Sequence, residues 1–596
     1  MNELREKDVG ITEFVGKTCG FNGIIKLRFQ DFLVNEISTN GKVVHLTTFD
    51  PPKALEVAVD ETCSTDAISK EDRLLLDLLA ENNDSQDPVL IKADCDKAQR
   101  TEIHKAIKQL YPKLESSTTD DNAGNKVIKV VKTRSGQKRQ NQRRSGKRTY
   151  CKFVLHKQNI ATANAVGMVT SKLGMKHSKV FQYAGNKDKQ GITVQEITSS
   201  LPYERLAFLT KQQGKLAVGN FTLDAQPLCL GDLSGNYFAL IVRNIQNVDE
   251  KDISAAMKSF EEQGFINYFG MQRFGATSVP TYEIGKSFLN KNWERAVDQI
   301  LSSLHTRLDD DTLTCIKNWK EEGQADKLLE RLDKKHSLER SLLRGISKFG
   351  PTQLTQALTF LPRNTRTMYL HSYQSLVWNK VASKRIKEYG LKPVVGDLVL
   401  LDPTDSINEI QDEDAEPPSK KHKFVSDVKV KVLTADDLSL YDITDVVLPL
   451  PGCQITYPVY ETKNYYDTIL KEDEIENTAF DHRVKEYRLP GAYRKLIAKP
   501  GMVEWSVVRY DDLEQPLLVS DIERMEGITE PEGKEGHFRA LRIKFSLKTS
   551  CYATMALREV LKQDMTTTDQ IALSDQHKAE VRKHLAQNKN QEDQET

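Results

Sequence analysis

The chain has 596 residues, more than one hydrophobic core usually supports, so two or more folded units are expected. Lysine plus arginine and aspartate plus glutamate number 85 each, so no overall field draws the protein to nucleic acid or to an anionic membrane, and any such partner must be held by local patches. The eight cysteines lack the close spacing of zinc or redox sites and no long apolar run is present, which predicts a soluble intracellular protein without a metal site or a membrane partner.

Two runs near the N-terminus predict strands. Residues 24–29 and 32–37 alternate apolar and polar side chains, and Asn40-Gly41 has the composition of a turn between apolar runs. We therefore expect residues 24–46 to form the first hairpin of a sheet.

The composition changes after residue 50, where acids and a proline pair interrupt the strand pattern. Residues 97–110 predict a helix, because Ile103, Ile107 and Leu110 recur at spacings of four and three and so share one face. A small inserted module is expected here.

A block of basic residues ends this module. Residues 132–148 hold eight lysines and arginines, including Arg143 and Arg144, with no acid and almost no apolar side chain. Such a block cannot build a core, which predicts a flexible arm. The arm contacts nucleic-acid phosphates, or it is a solvated linker or a nuclear import signal.

A glycine-bounded loop at residues 184–195 follows a predicted strand at 151–156 and a helix. It places Asp188 between two lysines and between strand-like runs at residues 179–183 and 192–197. Gly, Asn and Asp are the usual residues of tight connections, in which an aspartate hydrogen-bonds its own backbone. Functional residues also favour loops on rigid scaffolds, so the same loop is a candidate for presenting a catalytic acid.

The remaining chain changes character several times. The predicted segments are, in order, a strand at 237–242, a mostly helical region at 249–389, a surface loop at 408–426, strands at 503–508 and 541–547, a helix at 553–562 and a polar tail after residue 566 that should fray. The late strands predict that the sheet is completed near the end of the chain.

The segment 267–275 combines three aromatic side chains with Gln272, Arg273 and two glycines. Such a set can contact an RNA backbone while stacking beneath a base. The alternative is a helix entry whose aromatics lie in the core, where aromatic side chains are mostly found.

Together these motifs make the chain resemble the TruD-type pseudouridine synthases, and most of all their eukaryotic, multi-substrate branch. The resemblance runs in order through almost the whole chain, which a single motif cannot imitate. The matching pieces are Lys26 with residues 31–36, the loop at 184–195, residues 235–238, 267–275, 371–379 and 491–495, and residues 552–554 with 557–559.

The resemblance implies roles for five residues. Asp188 matches the catalytic aspartate of the family, and Lys26, Asn236, Phe238 and Tyr552 match positions that bind substrate around it. Lys26 is expected to pair with Asp188 and to favour its ionised form, because an opposite charge nearby stabilises a carboxylate. Phe238 and Tyr552 are expected to pack around the flipped uracil.

Two departures and one insertion stand out against the family pattern. Gln190 occupies a position where a basic residue is common, and Gly191 one where alanine is usual, so Gln190 is expected to alter contacts to the RNA backbone. Arg100 and His104 fit the Arg-x-x-x-His signature of small nucleic-acid-binding modules. The alternative is an amphipathic helix on which both residues are solvated.

The implied fold is α+β, a pseudouridine synthase catalytic domain with a mixed and antiparallel sheet that is interrupted by a mainly helical TRUD domain. The expected segments are residues 1–50 (N-terminal part of the catalytic domain), 51–148 (insertion and basic arm), 149–263 (catalytic domain with the Asp188 loop), 264–490 (TRUD domain), 491–565 (C-terminal part of the catalytic domain) and 566–596 (polar tail).

The implied function is conversion of uridine to pseudouridine in tRNA and also in mRNA and snRNA, by a nuclear and also cytoplasmic monomer. No cofactor is expected, because the isomerisation needs no redox change and no external energy. The target uridine must leave its stack, and Asp188 then adds to C1′ or assists formation of a glycal. Two other functions stay open: a catalytically silent RNA-binding or RNA-chaperone protein on the same fold, and a carboxylate hydrolase, for which no second acid in a comparable setting is present.

Overall fold

The computed structural model describes residues 4–50, 68–81, 88–92, 97–111, 114–120, 126–132, 149–207, 209, 215–275, 278–303, 310–321, 323–333, 337–402 and 428–595. The chain forms two compact units, a smaller one of Pro52–Tyr150 with Thr222–Gln226, and a larger one that contains the rest. Arg143 and Arg144 of the basic arm, and the predicted surface loop at 408–426, lie outside the described residues. The predicted segment boundaries stay predictions.

The strands of the described residues are β1 (Asn22–Ile25), β2 (Phe32–Ser38), β3 (Val89–Lys92), β4 (Leu114–Asp120), β5 (Lys126–Lys132), β6 (Tyr150–Gln158), β7 (Phe181–Tyr183), β8 (Ile192–Ser199), β9 (Leu216–Asp224), β10 (Leu233–Gln246), β11 (Phe265–Ile266), β12 (Leu398–Leu400), β13 (Val430–Val432), β14 (Val446–Leu450), β15 (Ala492–Lys495), β16 (Ile497–Ala498), β17 (Gly501–Tyr510) and β18 (Phe538–Lys548). The strands predicted at 32–37, 151–156, 192–197, 237–242, 503–508 and 541–547 are confirmed.

The helices of the described residues are α1 (Lys70–Glu81), α2 (Lys97–Leu110), α3 (Thr162–Lys172), α4 (Tyr203–Leu206), α5 (Glu250–Gln263), α6 (Thr281–Leu289), α7 (Trp293–Ser302), α8 (Asp310–Lys317), α9 (Gln324–Arg331), α10 (Ser337–Phe349), α11 (Leu354–Leu358), α12 (Arg363–Tyr389), α13 (Thr462–Glu472), α14 (Asp521–Met525), α15 (Ala553–Leu561) and α16 (Thr567–Glu595). The helix predicted at 97–110 is confirmed as α2, and the predicted helical region corresponds to α5–α12.

The smaller unit is a three-stranded antiparallel sheet, ordered β3-β5-β4, with helices α1 and α2. Its core contains Ile107 from α2 and Ile128 from β5, both without exposed surface, together with Leu76 from α1. Ile103 packs against this core, whereas Leu110 is 41% exposed. The predicted apolar face of α2 is therefore buried at Ile107, partly buried at Ile103 and exposed at Leu110.

The larger unit is organised around a mixed sheet of nine described strands. Its order is β17-β18-β10-β2-β8-β6-β9, with β1 on β10 and β7 on β8. Strands β2 and β8 run parallel, whereas β10 is antiparallel to both β2 and β18. Phe238 on β10 lies opposite Val34 and Phe545, and this face packs on α5 and α15 through Phe260 and Leu557. The α+β fold is thus confirmed.

The predicted N-terminal hairpin at residues 24–46 does not have the predicted extent. Strand β1 pairs with the end of β10, where Ile25 lies opposite Val242, and β2 pairs with the preceding part of the same strand, where Phe32 lies opposite Leu240. The two strands therefore follow one another along one edge of β10, and the residues between them leave the sheet. The turn at Asn40-Gly41 is present, but the chain beyond it returns to β2 by an isolated bridge. Local alternation indicates a strand without indicating its partner.

The helical region shares its core with the sheet. Phe269 and Trp378 from the segments 265–270 and 363–389 belong to the same buried cluster as Phe238 and Phe545. The chain that follows the helical region forms a four-stranded sheet ordered β13-β12-β14-β15, which the sequence pattern did not predict. Its strands are short, so the alternation that identifies a strand extends over too few residues.

The tail predicted to fray after residue 566 is instead the long helix α16. Val581 and His577 of this helix are buried, and the Tyr510 hydroxyl lies 2.7 Å from His577 Nε2. Val581 joins the core on the second face of the sheet, with Ile241 and Tyr510. The prediction failed because this helix docks through few apolar residues and one buried histidine, which leaves little apolar periodicity in its sequence.

Among the helices described, none is long and apolar enough to span a membrane.

Candidate active site

Lys26 and Asp188 meet in the larger unit. Lys26 Nζ lies 2.9 Å from Asp188 Oδ2, and the two side chains are 10% and 37% exposed. The same ammonium lies 3.9 Å from the centre of the Phe32 ring. Lys26 has φ +52°, which lets the chain turn away from β10 after β1. The predicted pairing is present across 162 positions of sequence, and Asp188 keeps access to solvent.

The backbone of the Asp188 loop is held by Lys157 at the end of β6. Lys157 Nζ donates hydrogen bonds to the carbonyl oxygens of Asp188 at 2.9 Å and Ile160 at 2.7 Å, and the residue has no exposed surface. Burial lowers the pKa of Lys157 to about 8, while the Asp188 carboxylate acts in the opposite direction. The sequence reasoning missed Lys157, which fixes the loop through its backbone.

A second group of polar side chains holds the start of the loop. The Thr162 hydroxyl accepts a hydrogen bond from Lys187 N at 3.0 Å and donates to Gln195 Oε1 at 2.9 Å. Gln195 Nε2 in turn donates to Gly185 O at 3.0 Å. Thr162 and Gln195 are buried, so these bonds are shielded from competition by water.

Lys187, which directly precedes Asp188, forms a buried ion pair with Glu36 of β2. Lys187 Nζ lies 2.6 Å from Glu36 Oε2, and the side chains are 3% and 1% exposed. Burial raises the pKa of Glu36, and the Lys187 charge offsets part of that effect. Lys189, on the other side of Asp188, is exposed, so the two lysines beside Asp188 differ in burial.

Gly191, where the family pattern usually has alanine, closes the loop against β2. Its φ is +146°, and an added Cβ would lie 2.5 Å from Phe32 O. A side chain there would be strained and would force the loop away from Phe32. Gln190, the other departure, donates from Nε2 to Lys26 O at 3.2 Å and so joins the Asp188 loop to the Lys26 turn.

Asn236 and Phe238 lie on one face of β10, two residues apart. Asn236 is opposite Glu36 in the sheet, and its Oδ1 is buried with no hydrogen-bond partner among the described residues. Phe238 is 6% exposed and packs edge-on to Phe32 and stacked on Phe545. The Phe238 ring is thus part of the core beneath the site, whereas Asn236 presents an unused acceptor.

Tyr552 stands at the start of α15, half-buried, in an aromatic group from the helical region. Its ring lies 6.4 Å from that of Phe269, and the guanidinium of Arg494 is 4.0 Å from the Phe269 ring centre and 6.0 Å from that of Tyr552. Arg494 is buried and binds Asn267 O at 2.6 Å and Asn267 Oδ1 at 2.9 Å. The motifs at 267–275, 491–495 and 552–554 therefore converge beneath Tyr552.

Gln272 and Arg273 lie in the short 3₁₀ helix Met271–Phe274. Gln272 is exposed, whereas Arg273 is half-buried with its guanidinium 5.5 Å from the Phe269 ring.

In the smaller unit, His104 Nδ1 and Nε2 lie 2.8 and 2.9 Å from the hydroxyls of Ser116 and Thr118. Burial lowers the pKa of His104, and Arg100 on the same helix is half-buried. The part of the chain that is described contains no group of three or more His, Cys, Asp or Glu side chains arranged to bind a metal.

Residues 128–560 match the family model described as TruD, tRNA pseudouridine synthase D. The chain belongs to the TruD family of pseudouridine synthases. It is 39% identical over 577 residues to the human pseudouridylate synthase 7 homolog, covering 96% of this chain and 83% of that protein. It is 34% identical to the multisubstrate pseudouridine synthase 7 of Schizosaccharomyces pombe, covering 95% and 92%. These matches make it an RNA pseudouridine synthase, an isomerase.

A solved structure carries the same fold. The putative tRNA pseudouridine synthase D (TruD) from Methanosarcina mazei aligns with a TM-score of 0.54 at 19% identity, covering 94% of this chain and 97% of that one. The TruD fold is therefore retained where the sequences have diverged widely.

The C-terminal helix α16 supports the Lys26 turn of this TruD-family synthase. Gln570 Oε1 accepts a hydrogen bond from Ile25 N at 2.9 Å, and Gln570 Nε2 lies 3.4 Å from Gly23 O. Gln563, just before the helix, accepts from Gly23 N at 3.0 Å. Strand β1 is thus held between β10 and two glutamine side chains, directly before the residue that pairs with Asp188.

The Gln570→Ala variant is expected to convert uridine about five- to tenfold more slowly at saturating RNA, with unchanged KM, because loss of one hydrogen bond to Ile25 N loosens the Lys26 turn. Single-turnover assays measure this. Gln570→Glu keeps the acceptor and should restore most of the rate, and Gln576→Ala, on an exposed part of the same helix, is the matched control. A normal rate in Gln570→Ala would contradict a positioning role for Gln570.

Proposed function

We propose that the protein isomerises specific uridines to pseudouridine in tRNA, and also in mRNA and snRNA, with Asp188 as the catalytic carboxylate. The observation that carries this proposal is the Lys26–Asp188 pair, a partly exposed carboxylate fixed on a buried polar framework. Support for more than one RNA substrate comes from the name of the S. pombe relative, a multisubstrate pseudouridine synthase. The nuclear location remains a prediction from the basic segments.

The reaction breaks the C1′–N1 bond of uridine and forms a C1′–C5 bond to the same base. Asp188 either adds to C1′ as uracil leaves, and this ester bond breaks when C5 of the base bonds to C1′, or it assists loss of the C2′ proton to give a glycal, which regains a proton at C2′ when the C1′–C5 bond forms. In both routes the C5 proton then leaves and N1 takes up a proton. Lys26 holds the carboxylate in one orientation through a charge-assisted hydrogen bond. Lys157 fixes the Asp188 backbone, so the carboxylate is positioned before the substrate arrives.

The detached uracil must be kept in the site while it rotates. Asn236 Oδ1 is a buried acceptor without a partner among the described residues, which suits the N3–H donor of uracil. Tyr552, half-buried beside Phe269 and Arg494, offers an aromatic face on which the flipped base stacks. The target uridine is extruded from its stack at a cost of a few kcal/mol, which is smallest in loops and single strands.

The assay incubates the purified protein with unmodified transcripts of tRNA, snRNA and mRNA, then digests the RNA and separates pseudouridine from uridine by chromatography. We expect pseudouridine at defined positions of tRNA and of at least one other RNA class, without added cofactor. No pseudouridine in any RNA would favour a silent RNA-binding protein, and free uracil as the main product would favour a hydrolase.

A further inference from the structure

A groove of about 470 Å³ lies beside the Lys26–Asp188 pair, within the size range of ligand sites. Its wall includes Arg28, Phe29 and Gln30, which follow Lys26 in the chain, and Lys189 and Gln190, which follow Asp188. The groove therefore begins within two residues of both members of the pair. None of the roles assigned above to the catalytic carboxylate or to the base uses it.

The backbone segments that carry Lys26 and Asp188 also form the walls of the groove. Gln190 Nε2 donates to Lys26 O, which ties its two walls together. Asn159 lines a third side of the groove, and its backbone N donates a hydrogen bond to Gly191 O at 2.9 Å. Asn159 has φ +52°, a conformation that asparagine tolerates better than most residues. Movement of the groove walls is thus coupled to the loop that carries Asp188.

The lining side chains suit a nucleotide. Gln30 and Asn159 provide carboxamides, which can donate to and accept from base edges. Phe29 is half-buried and gives a partly exposed aromatic surface, and Lys189 is an exposed cation for a phosphate. Arg28 is held by Glu514 O at 2.6 Å and Glu514 Oε2 at 3.0 Å. Because the Glu514 side chain is 82% exposed, this ion pair is weak and can give way to RNA.

We propose that this groove binds the nucleotide next to the target uridine and reads its base through Gln30 and Asn159. The inference rests on the proposed function, because it takes the uridine that reacts at Asp188 as its reference point. A nucleotide covalently joined to that uridine must lie next to the carboxylate, which is where the groove begins. Lys189 binds the phosphate and adds affinity without sequence preference.

The test uses short single-stranded RNAs with one uridine, in which each flanking position carries each of the four bases in turn. Equilibrium binding and single-turnover conversion are measured for the unmodified protein and for the double variant Gln30→Ala/Asn159→Gly. Glycine keeps the backbone conformation at residue 159. The matched control is Gln576→Ala/Asn247→Gly, since Asn247 has φ +53° and both residues are exposed.

We expect the unmodified protein to bind and convert RNAs with one particular base at one flanking position better than RNAs with the other three bases. In the groove variant, the ratio between the preferred base and the others should fall about tenfold. Lys189→Ala should weaken binding of every RNA by the same factor and reduce the salt dependence of binding. The proposal is overturned if the groove variant keeps the original preference, or if the unmodified protein binds all flanking bases alike. Absence of conversion in the unmodified protein would overturn the proposed function instead, and the binding series would still test the groove.

Discussion

The Asp188→Asn variant is expected to lose at least about 10⁴-fold in the rate of pseudouridine formation while binding RNA with unchanged affinity. An amide can neither add to C1′ nor accept a proton in the way that a carboxylate does, so both routes considered for this reaction fail together. The shape of the side chain is preserved, and the amide oxygen can take the place of Oδ2, which Lys26 Nζ contacts at 2.9 Å. Single-turnover conversion and equilibrium binding of the same tRNA transcript provide the two measurements.

Asp575→Asn is the matched control, because Asp575 is exposed on α16 and pairs with Lys578. It should convert RNA at the unmodified rate. Substantial activity in Asp188→Asn would remove Asp188 from the chemistry and leave the Lys26–Asp188 pair as a structural feature. Loss of RNA binding together with activity would indicate that the substitution damages the loop rather than the reaction.

The Lys187→Met variant is expected to be destabilised by about 3–5 kcal/mol at neutral pH, the cost of removing one partner of a buried ion pair. Glu36, almost fully buried, would keep a charge without its counterion. The pKa of Glu36 is already raised by burial, and loss of Lys187 raises it further. Denaturant unfolding at a series of pH values measures the effect.

The direction of the pH dependence follows from proton binding. In the variant the folded state holds the Glu36 proton more tightly than the unfolded chain does, so stability is highest below the unfolded-state pKa of the carboxyl. It falls as pH rises towards the raised folded-state pKa. The double variant Lys187→Met/Glu36→Gln removes both charges and should recover most of the loss.

Lys189→Met serves as the control on the other side of Asp188, because Lys189 is exposed and its removal should change stability by less than about 0.5 kcal/mol. A Lys187→Met protein as stable as the parent at neutral pH would contradict the buried pair. Activity should fall with stability, since Lys187 directly precedes Asp188, the proposed catalytic residue, and its position is fixed by Glu36.

The strands that carry the site could be predicted because their signals are local. Strands β2, β6, β8 and β10 have alternating or continuous apolar runs, and Asp188 lies in a glycine-bounded loop between two such runs. The partners of those strands could not be predicted in this way. Residues 24–46 have the alternation and the Asn40-Gly41 turn of a hairpin, yet β1 and β2 both pair with β10, because its long edge offers hydrogen bonds to each of them in turn.

The sequence by itself indicated the family and singled out Asp188, Lys26, Asn236, Phe238 and Tyr552 as candidate site residues, because each lies in a short motif whose residue types can be read in one place. Only the tertiary structure decided that Lys157 holds the Asp188 backbone, that Lys187 turns to Glu36, and that Gln570 supports the Lys26 turn. The physical reason is distance along the chain. Gln570 meets Ile25 across 545 positions, and such a contact leaves no local periodicity in the sequence on either side.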